Sequence, residues 1–298
     1  MHLFVTGASG HIGSLVVREL LDNGHQVSGL ARSDASADSL TAVGAQVVRG
    51  TLDDSEVLAR AAAEAEGVIH LAFKHDFGDY AGAAADDLRA VEAMGSALVG
   101  SGKPFVNTSG TAMLATGSAS VLGTEEAHVD PSGARVASEN ATIALAEQGV
   151  RASVIRLAPT VHGSTDHHGF IPTIIENACR TGRSIYIDGG ANRWPAVHNL
   201  DAARLYRLAV ESAPAGSRLH GAAEEGVPFR EIAQAIADQL DVPVAGVSID
   251  QATEELGFIG WVASLDNPTS SAFTQQLLGW QPEHPTLLED LKAGHYFA

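Results

Sequence analysis

A single cysteine, Cys179, stands in a chain of 298 residues, so no internal disulfide can form. That scarcity fits a reducing compartment and leaves the fold to rest on a hydrophobic core. Cys179 falls in an apolar stretch of helical spacing, where burial is the default expectation for a free thiol. Basic residues are also scarce: 18 Lys and Arg face 36 Asp and Glu, a formal net charge of −18. A surface of that sign repels phosphate backbones and anionic headgroups, which argues against nucleic acid and membrane surfaces as partners. No apolar run approaches the ~18 residues of a membrane-spanning helix. The N-terminus enters a strand at Leu3 and a glycine turn at Gly7, without a secretory pattern. The expectation is a cytoplasmic protein.

What is present is an ordinary globular composition, with 45% hydrophobic and 18% charged residues. The first half alternates short β-like runs with amphipathic ones. Leu3-Phe4-Val5 reads as a strand; Ile12, Leu15, Val16 and Leu20 recur at helical spacing, closed by Asn23-Gly24. Further strands are expected at Val27–Leu30, Gln46–Arg49, Val68–Ala72, Phe105–Thr108 and Ala152–Leu157. Helices are expected from Val57, over Ala81–Val99 and over Ala134–Glu147. This alternation implies an α/β fold, a doubly wound parallel Rossmann sheet with its ligand site beyond the strands' carboxyl ends. Residues 161–298 are expected to form mainly a smaller C-terminal substrate-binding domain, with a return segment near 190–215 rejoining the dinucleotide-binding domain of residues 1–160. Within that part, helices are expected at Ile171–Arg180, Leu200–Val210, Ile232–Leu240 and Leu287–Leu291, and strands at Ile185–Ile187 and near Leu219 and Val244.

The sharpest motif is Thr6-Gly7-Ala8-Ser9-Gly10-His11-Ile12-Gly13, set between the first strand and the first helix. Gly7 permits the tight turn, Gly10 lets backbone approach a pyrophosphate, and Gly13 lets the helix pack on the sheet. The helix N-terminus then offers free N–H groups to phosphate. At the end of the second strand, Arg32 follows Gly13 by 19 residues, where an acid would bond a ribose 2′-hydroxyl. Arg32, with Ser33 beside it, offers donors to a 2′-phosphate instead. The expected cofactor is NADP, with NADPH preferred over NADH. Leu52-Asp53 resembles an adenine-contacting pair, although Asp53 could equally cap the helix that follows.

These motifs, with His70-Leu71-Ala72, Val106–Gly110, Arg156–Gly163 and Leu278-Gly279-Trp280-Gln281-Pro282, give the chain its resemblance to the extended short-chain dehydrogenase/reductase superfamily, of the NAD-dependent epimerase/dehydratase type. The resemblance covers nearly the whole chain. It implies cofactor contacts from Thr6, Ser9, His11 and Ile12, from Leu71, Ala72 and Phe73, and from Pro159 and Val161. It also admits a homodimer formed through paired helices.

That superfamily usually works with a Tyr and a Lys four residues later, helped by Ser or Thr. Here the matching positions are Arg135 and Glu139, and no Tyr-x-x-x-Lys occurs anywhere in the chain. Ser109 and Thr111 flank Gly110, which occupies the helper position. Arg135 stays protonated at ordinary pH, so it can hold an oxyanion, carboxylate or phosphate but cannot give up a proton. Glu139, one helical turn on, could hold it in place. A proton would come from elsewhere: His75, Asp76, Tyr80 and His162 all follow strand ends, and Tyr80 and His162 are the chosen candidates. His198 is expected to line the cleft and Asp201 to cap the next helix. Asp166-His167-His168 is not read as a metal site, because adjacent loop residues rarely converge on one ion.

Three functions follow. The first is an NADPH-dependent oxidoreductase acting on a small carbonyl or related unsaturated substrate. The second is an epimerase, isomerase or dehydratase that retains its NAD(P). The third is a non-catalytic NADP(H)-binding redox sensor.

Overall fold

Apolar runs such as Leu3-Phe4-Val5 and Val68-Ile69 lack polar alternation because both of their faces are covered, as in parallel sheets. The computed structural model describes residues 1–75, 78–116, 121–127, 129, 133 and 135–297. The first half runs β1 (His2–Thr6), α1 (His11–Asp22), β2 (Gln26–Ala31), α2 (Asp34–Ala42), β3 (Gln46–Arg49), α3 (Ser55–Glu64), β4 (Gly67–His70), α4 (Tyr80–Leu98), β5 (Pro104–Gly110), α5 (Val136–Ala144) and β6 (Arg151–Leu157). The chain continues through β7 (Thr160–His162), α6 (Phe170–Thr181), β8 (Ser184–Ile187), β9 (Arg193–His198), α7 (Asn199–Ser212), β10 (Ser217–Gly221), β11 (Glu224–Pro228) and α8 (Phe229–Leu240). It ends with β12 (Val244–Val247), α9 (Ile249–Leu256), α10 (Phe258–Ala263), α11 (Ala272–Leu278) and α12 (Leu287–Ala293).

The main sheet has seven strands in the order β10-β6-β5-β4-β1-β2-β3, and every pairing is parallel. Strand order reverses between β1 and β4, where Thr6 lies in register with His70. One apolar layer, containing Val16, Leu20, Tyr206 and Trp280, covers one face. A second, containing Leu58, Met94 and Phe105, covers the other. The third core belongs to the C-terminal part and packs Ile171, Trp194, Phe229 and Leu291 around two small sheets, β11-β9-β7 and β12-β8. The chain returns to the main sheet through α7 and β10, up to Gly221, whereas Arg193–His198 belongs to a small sheet. Among the described residues, no helix is long and apolar enough to cross a membrane.

The Asp- and Ser-rich helix Asp34–Ala42 is capped by Ser33, whose Oγ accepts from Ser36 N at 3.2 Å. Several local expectations are corrected. The expected helix over Ala134–Glu147 is α5 followed by a 3-10 turn at Leu145–Gln148, with Ala134 outside the described residues. Cys179 is exposed, since it faces away from the side of α6 that buries Ile171, Ile174, Ile175 and Ala178. Asp53 caps no helix: Asp54 holds the position before α3, and its Oδ2 accepts from Thr51 N at 2.7 Å. Nor does Asp201 cap α7. His198 does so, with Nδ1 accepting from Leu200 N at 3.2 Å.

Candidate active site

The turn after β1 is held by backbone. Gly7 adopts a positive φ of 67°, and a Cβ there would meet Ala72 N at 2.8 Å. A Cβ on Gly13 would sit on the Gly7 carbonyl oxygen, whereas one on Gly10 would meet only that oxygen, at 3.2 Å. Ser9 and Gly10 are exposed, and no side chain caps α1. The N–H groups of His11, Ile12 and Gly13 therefore point past an open Gly10, which fits a dinucleotide pyrophosphate. The His11 ring turns away from that opening. Its Nδ1 lies 3.6 Å from Asp166 Oδ1 and its Nε2 lies 3.2 Å from Asn199 Nδ2. Burial lowers the His11 pKa and raises that of Asp166.

At the outer end of β2, Arg32 is exposed and carries no ion pair among the described residues. Arg49, at the end of the adjacent strand, is bound to Asp34 at 2.6 Å, so that acid is already countered. Leu52 is buried beneath this end of the sheet. Asp53 is engaged by Lys74, whose Nζ lies 2.7 Å from Oδ1 and 2.6 Å from Asp86 Oδ2.

Beyond β4, Leu71 N donates to Thr6 O at 3.3 Å and Ala72 N to Thr6 Oγ1 at 3.2 Å. These bonds seat Leu71, Ala72 and Phe73 against the glycine turn. The Arg135 guanidinium lies 4.2 Å over the Phe73 ring. Its Nη2 donates to Thr108 O at 2.8 Å and lies 3.7 Å from Asp87 Oδ1. Tyr80, at the start of α4, lies 5.8 Å from Phe73 between ring centres and stacks on Phe258 of α10 at 5.4 Å. Burial raises the Tyr80 pKa above its ordinary value, against the opposing pull of Arg135. His75 is exposed, with its ring 5.5 Å from Phe73; Asp76 lies outside the described residues.

Glu139 does not hold Arg135. It is 1% exposed and bonds Arg156 of β6, Nη2 to Oε1 at 2.5 Å and Nε to Oε2 at 3.1 Å, and Arg218 of β10 at 2.9 Å. The helper hydroxyls are likewise turned inward. Ser109 Oγ contacts Met113 Sδ at 3.8 Å, and the fully buried Thr111 is hydrogen-bonded to Asn267 at 3.0 Å.

Pro159 is half-buried after β6, and Val161 pairs with Val197 across β7 and β9. His162, beside them, is 1% exposed, with Nδ1 2.6 Å from Asp290 Oδ2 and Nε2 4.0 Å from Glu224 Oε2. Its partners belong to the C-terminal core. His198 is buried rather than lining a cleft: its ring stacks on His284 at 4.8 Å. Burial, with His162 nearby, brings its pKa down to about 4. Asp201 is fully buried and accepts from Glu283 N, His284 N and His284 Nδ1.

Sequence reasoning missed Asp87, Lys74, Asn199 and Tyr296. Asp87 left a signal, because it falls on the same helical stripe as Ala83, Ala84, Ala90, Val91 and Met94, the buried face of α4. A charge inside such a stripe calls for a partner. Tyr296 left none. Its hydroxyl accepts from Gly163 N at 3.0 Å and donates to Asp166 Oδ2 at 3.2 Å, contacts that only folding creates.

A model of the NAD dependent epimerase/dehydratase family matches residues 3–220. An uncharacterized protein of Schizosaccharomyces pombe is 49% identical over 298 residues, covering 100% of both chains. A 2-alkyl-3-oxoalkanoate reductase of Stenotrophomonas maltophilia is 28% identical over 273 residues, 85% of this chain and 78% of its own. Among solved structures, a dTDP-glucose 4,6-dehydratase of Streptomyces venezuelae with NAD bound superposes with a TM-score of 0.79. It covers 100% of this chain and 98% of its own, and at 20% identity the likeness is one of fold.

Proposed function

The chain belongs to the NAD-dependent epimerase/dehydratase family, and on that premise we propose that it is an NADPH-dependent oxidoreductase that reduces a small carbonyl or related unsaturated substrate. The observation that carries this reading is Arg135. It stands where the family has its Tyr, fixed by the Thr108 carbonyl and the Phe73 ring, with Nη1 and Nε unbonded among the described residues. The 2-alkyl-3-oxoalkanoate reductase, a carbonyl-reducing relative, supports the reaction class.

NADPH, when bound, supplies the hydride. The residues of the chain do the rest. The first-turn N–H groups of α1 bind pyrophosphate, and the unpaired Arg32 receives the 2′-phosphate through its planar fork of donors. As electron density moves onto the substrate oxygen, Arg135 holds the developing oxyanion, a role that suits a group unable to release its proton. The proton comes from the Tyr80 hydroxyl, which burial keeps protonated, and is replaced from solvent. His162 is not assigned this step, because its ring is enclosed by Asp290, Glu224 and His198.

The test is deuteride transfer. NADPH labelled at either face of nicotinamide C4 is offered with aldehydes, ketones and enones, and products are read by mass spectrometry. Label arriving from one face only, and lost in Arg135→Ala, is the expected result. No transfer to any acceptor, with NADPH bound, overturns the reading in favour of a sensor or a closed internal cycle.

A further inference from the structure

We propose that Thr6, His70 and Asp87 form a buried positioning relay that orients the Arg135 guanidinium and ties it to the start of the dinucleotide loop. This inference rests on the role given to Arg135 above.

The relay lies along the carboxyl ends of adjacent strands at the point where strand order reverses. Thr6 ends β1 and His70 ends β4, in register with each other. Thr108 on β5 joins them, its Oγ1 donating to the His70 carbonyl at 2.7 Å while its own carbonyl receives Arg135. Asp87 approaches from α4. Thr6, His70 and Asp87 are each no more than 1% exposed, so their hydrogen bonds come from protein; Asp87 makes its bond through Oδ1, and its Oδ2 has no partner among the described residues.

That carboxylate sets the direction of the chain. Asp87 Oδ1 can only accept, so the ring hydrogen sits on His70 Nε2, 3.2 Å away. Nδ1 of the neutral ring is then an acceptor and takes the hydrogen of the Thr6 hydroxyl, 2.6 Å away, which itself accepts from Ala72 N. The same Oδ1 lies 3.7 Å from Arg135 Nη2. Burial works to raise the Asp87 pKa, but the His70 bond and the Arg135 charge outweigh it, and the carboxyl is held below its ordinary value. A buried carboxylate is tolerated only when paired and hydrogen-bonded, and here one oxygen receives the histidine and faces the guanidinium. Arg135 is thereby restrained on three sides: by charge from Asp87, by the Thr108 carbonyl, and from below by Phe73.

The relay also links the two halves of the site. Thr6 immediately precedes Gly7, whose positive φ begins the phosphate loop, and its hydroxyl is the first member of the chain that ends at Arg135. A change in the loop's seating reaches Arg135 through two hydrogen bonds and the Asp87–Arg135 ion pair rather than through solvent. Thr6, His70 and Asp87 touch no substrate in this account; they act through Arg135.

The test uses the full-length protein. Long-range 1H–15N spectra should show His70 as the Nε2–H tautomer, a readout that needs no substrate. Thr6→Val, which keeps the shape and removes the hydroxyl, should leave the ring hydrogen on Nε2, still facing Asp87, and shift the Nδ1 resonance as its donor is lost. An Nδ1–H tautomer in the unaltered protein overturns the relay. Asp87→Asn keeps an acceptor for His70 but removes the charge facing Arg135. It should lower kcat about tenfold or more while NADPH affinity stays within about twofold, a split that general loosening would not produce, since one tenfold step is 1.4 kcal/mol. Should Asp87→Asn fail to fold, the His70 tautomer in the unaltered protein remains the deciding readout. An impaired Arg135→Ala beside fully active relay variants sinks the relay alone. A fully active Arg135→Ala sinks the reading beneath it.

Discussion

Glu139 lies one helical turn after Arg135, yet its carboxylate grips Arg156 on the adjacent strand, Nη2 to Oε1 at 2.5 Å, with both side chains 1% exposed. Intrahelical spacing suggested Arg135 as its partner; the sheet supplied Arg156. Glu139→Gln should therefore act on stability. It leaves Arg156 without its counter-charge and Arg218 with less of one, and breaking a buried pair costs about 3–5 kcal/mol. Urea unfolding checks this, and a loss under about 1 kcal/mol would mean the pair is solvated.

The glycine turn separates folding from binding. A methyl group on Gly10 meets only the Gly7 oxygen, at 3.2 Å, and otherwise occupies open space. Gly10→Val should fold with a near-normal melting temperature and bind no dinucleotide. Gly13→Ala drives Cβ into the Gly7 carbonyl and should lower the melting temperature itself. Equal behaviour of the two variants would contradict the division.

Arg32 decides between cofactors in the proposed function. Arg32→Glu should weaken NADPH binding far more than NADH binding, because an acid repels a 2′-phosphate and accepts from a 2′-hydroxyl. Titration of both dinucleotides settles it, and equal loss removes the assignment.

Tyr296 reaches the cofactor loop through Asp166 and His11. Tyr296→Phe removes the acceptor for Gly163 N and the donor to Asp166 while keeping the ring. NADPH affinity should fall about fivefold, the ~1 kcal/mol of one net hydrogen bond. Unchanged affinity would leave the tyrosine a purely local strut.

The histidine cluster predicts acid sensitivity with a defined sign. Burial, with His162 nearby, pushes the His198 pKa down to about 4, below its ordinary value of 6.5. Between those values the unfolded state binds more protons, so this contribution is complete above pH 6.5 and is lost as pH falls toward 4. The loss is on the order of 1–3 kcal/mol. His198→Asn, which retains a capping acceptor for α7, should flatten the decline of melting temperature over that window. A parallel decline would assign the sensitivity to other groups.

The sequence by itself determined the periodic part of this protein. The alternation of apolar runs with 3.6-residue patterns led to the parallel sheet, and the strand-glycine-helix order led to the dinucleotide turn, because backbone geometry at these points depends on neighbours in the chain. β3 was legible to its last residue, Gln46–Arg49. The family resemblance, not spacing, pointed to Arg135 at the usual Tyr position, and it did not say what holds that side chain. The partners of Arg135, Glu139, His162 and Asp201 come from distant segments, and their geometry depends on strand order, register and helix rotation. The same is true of burial: Cys179 and Asp87 both sit in apolar-looking helices, and only the facing surfaces expose one and enclose the other. Periodicity says that a helix has a buried face; the tertiary structure decides which charge lies on it and which opposite charge it meets.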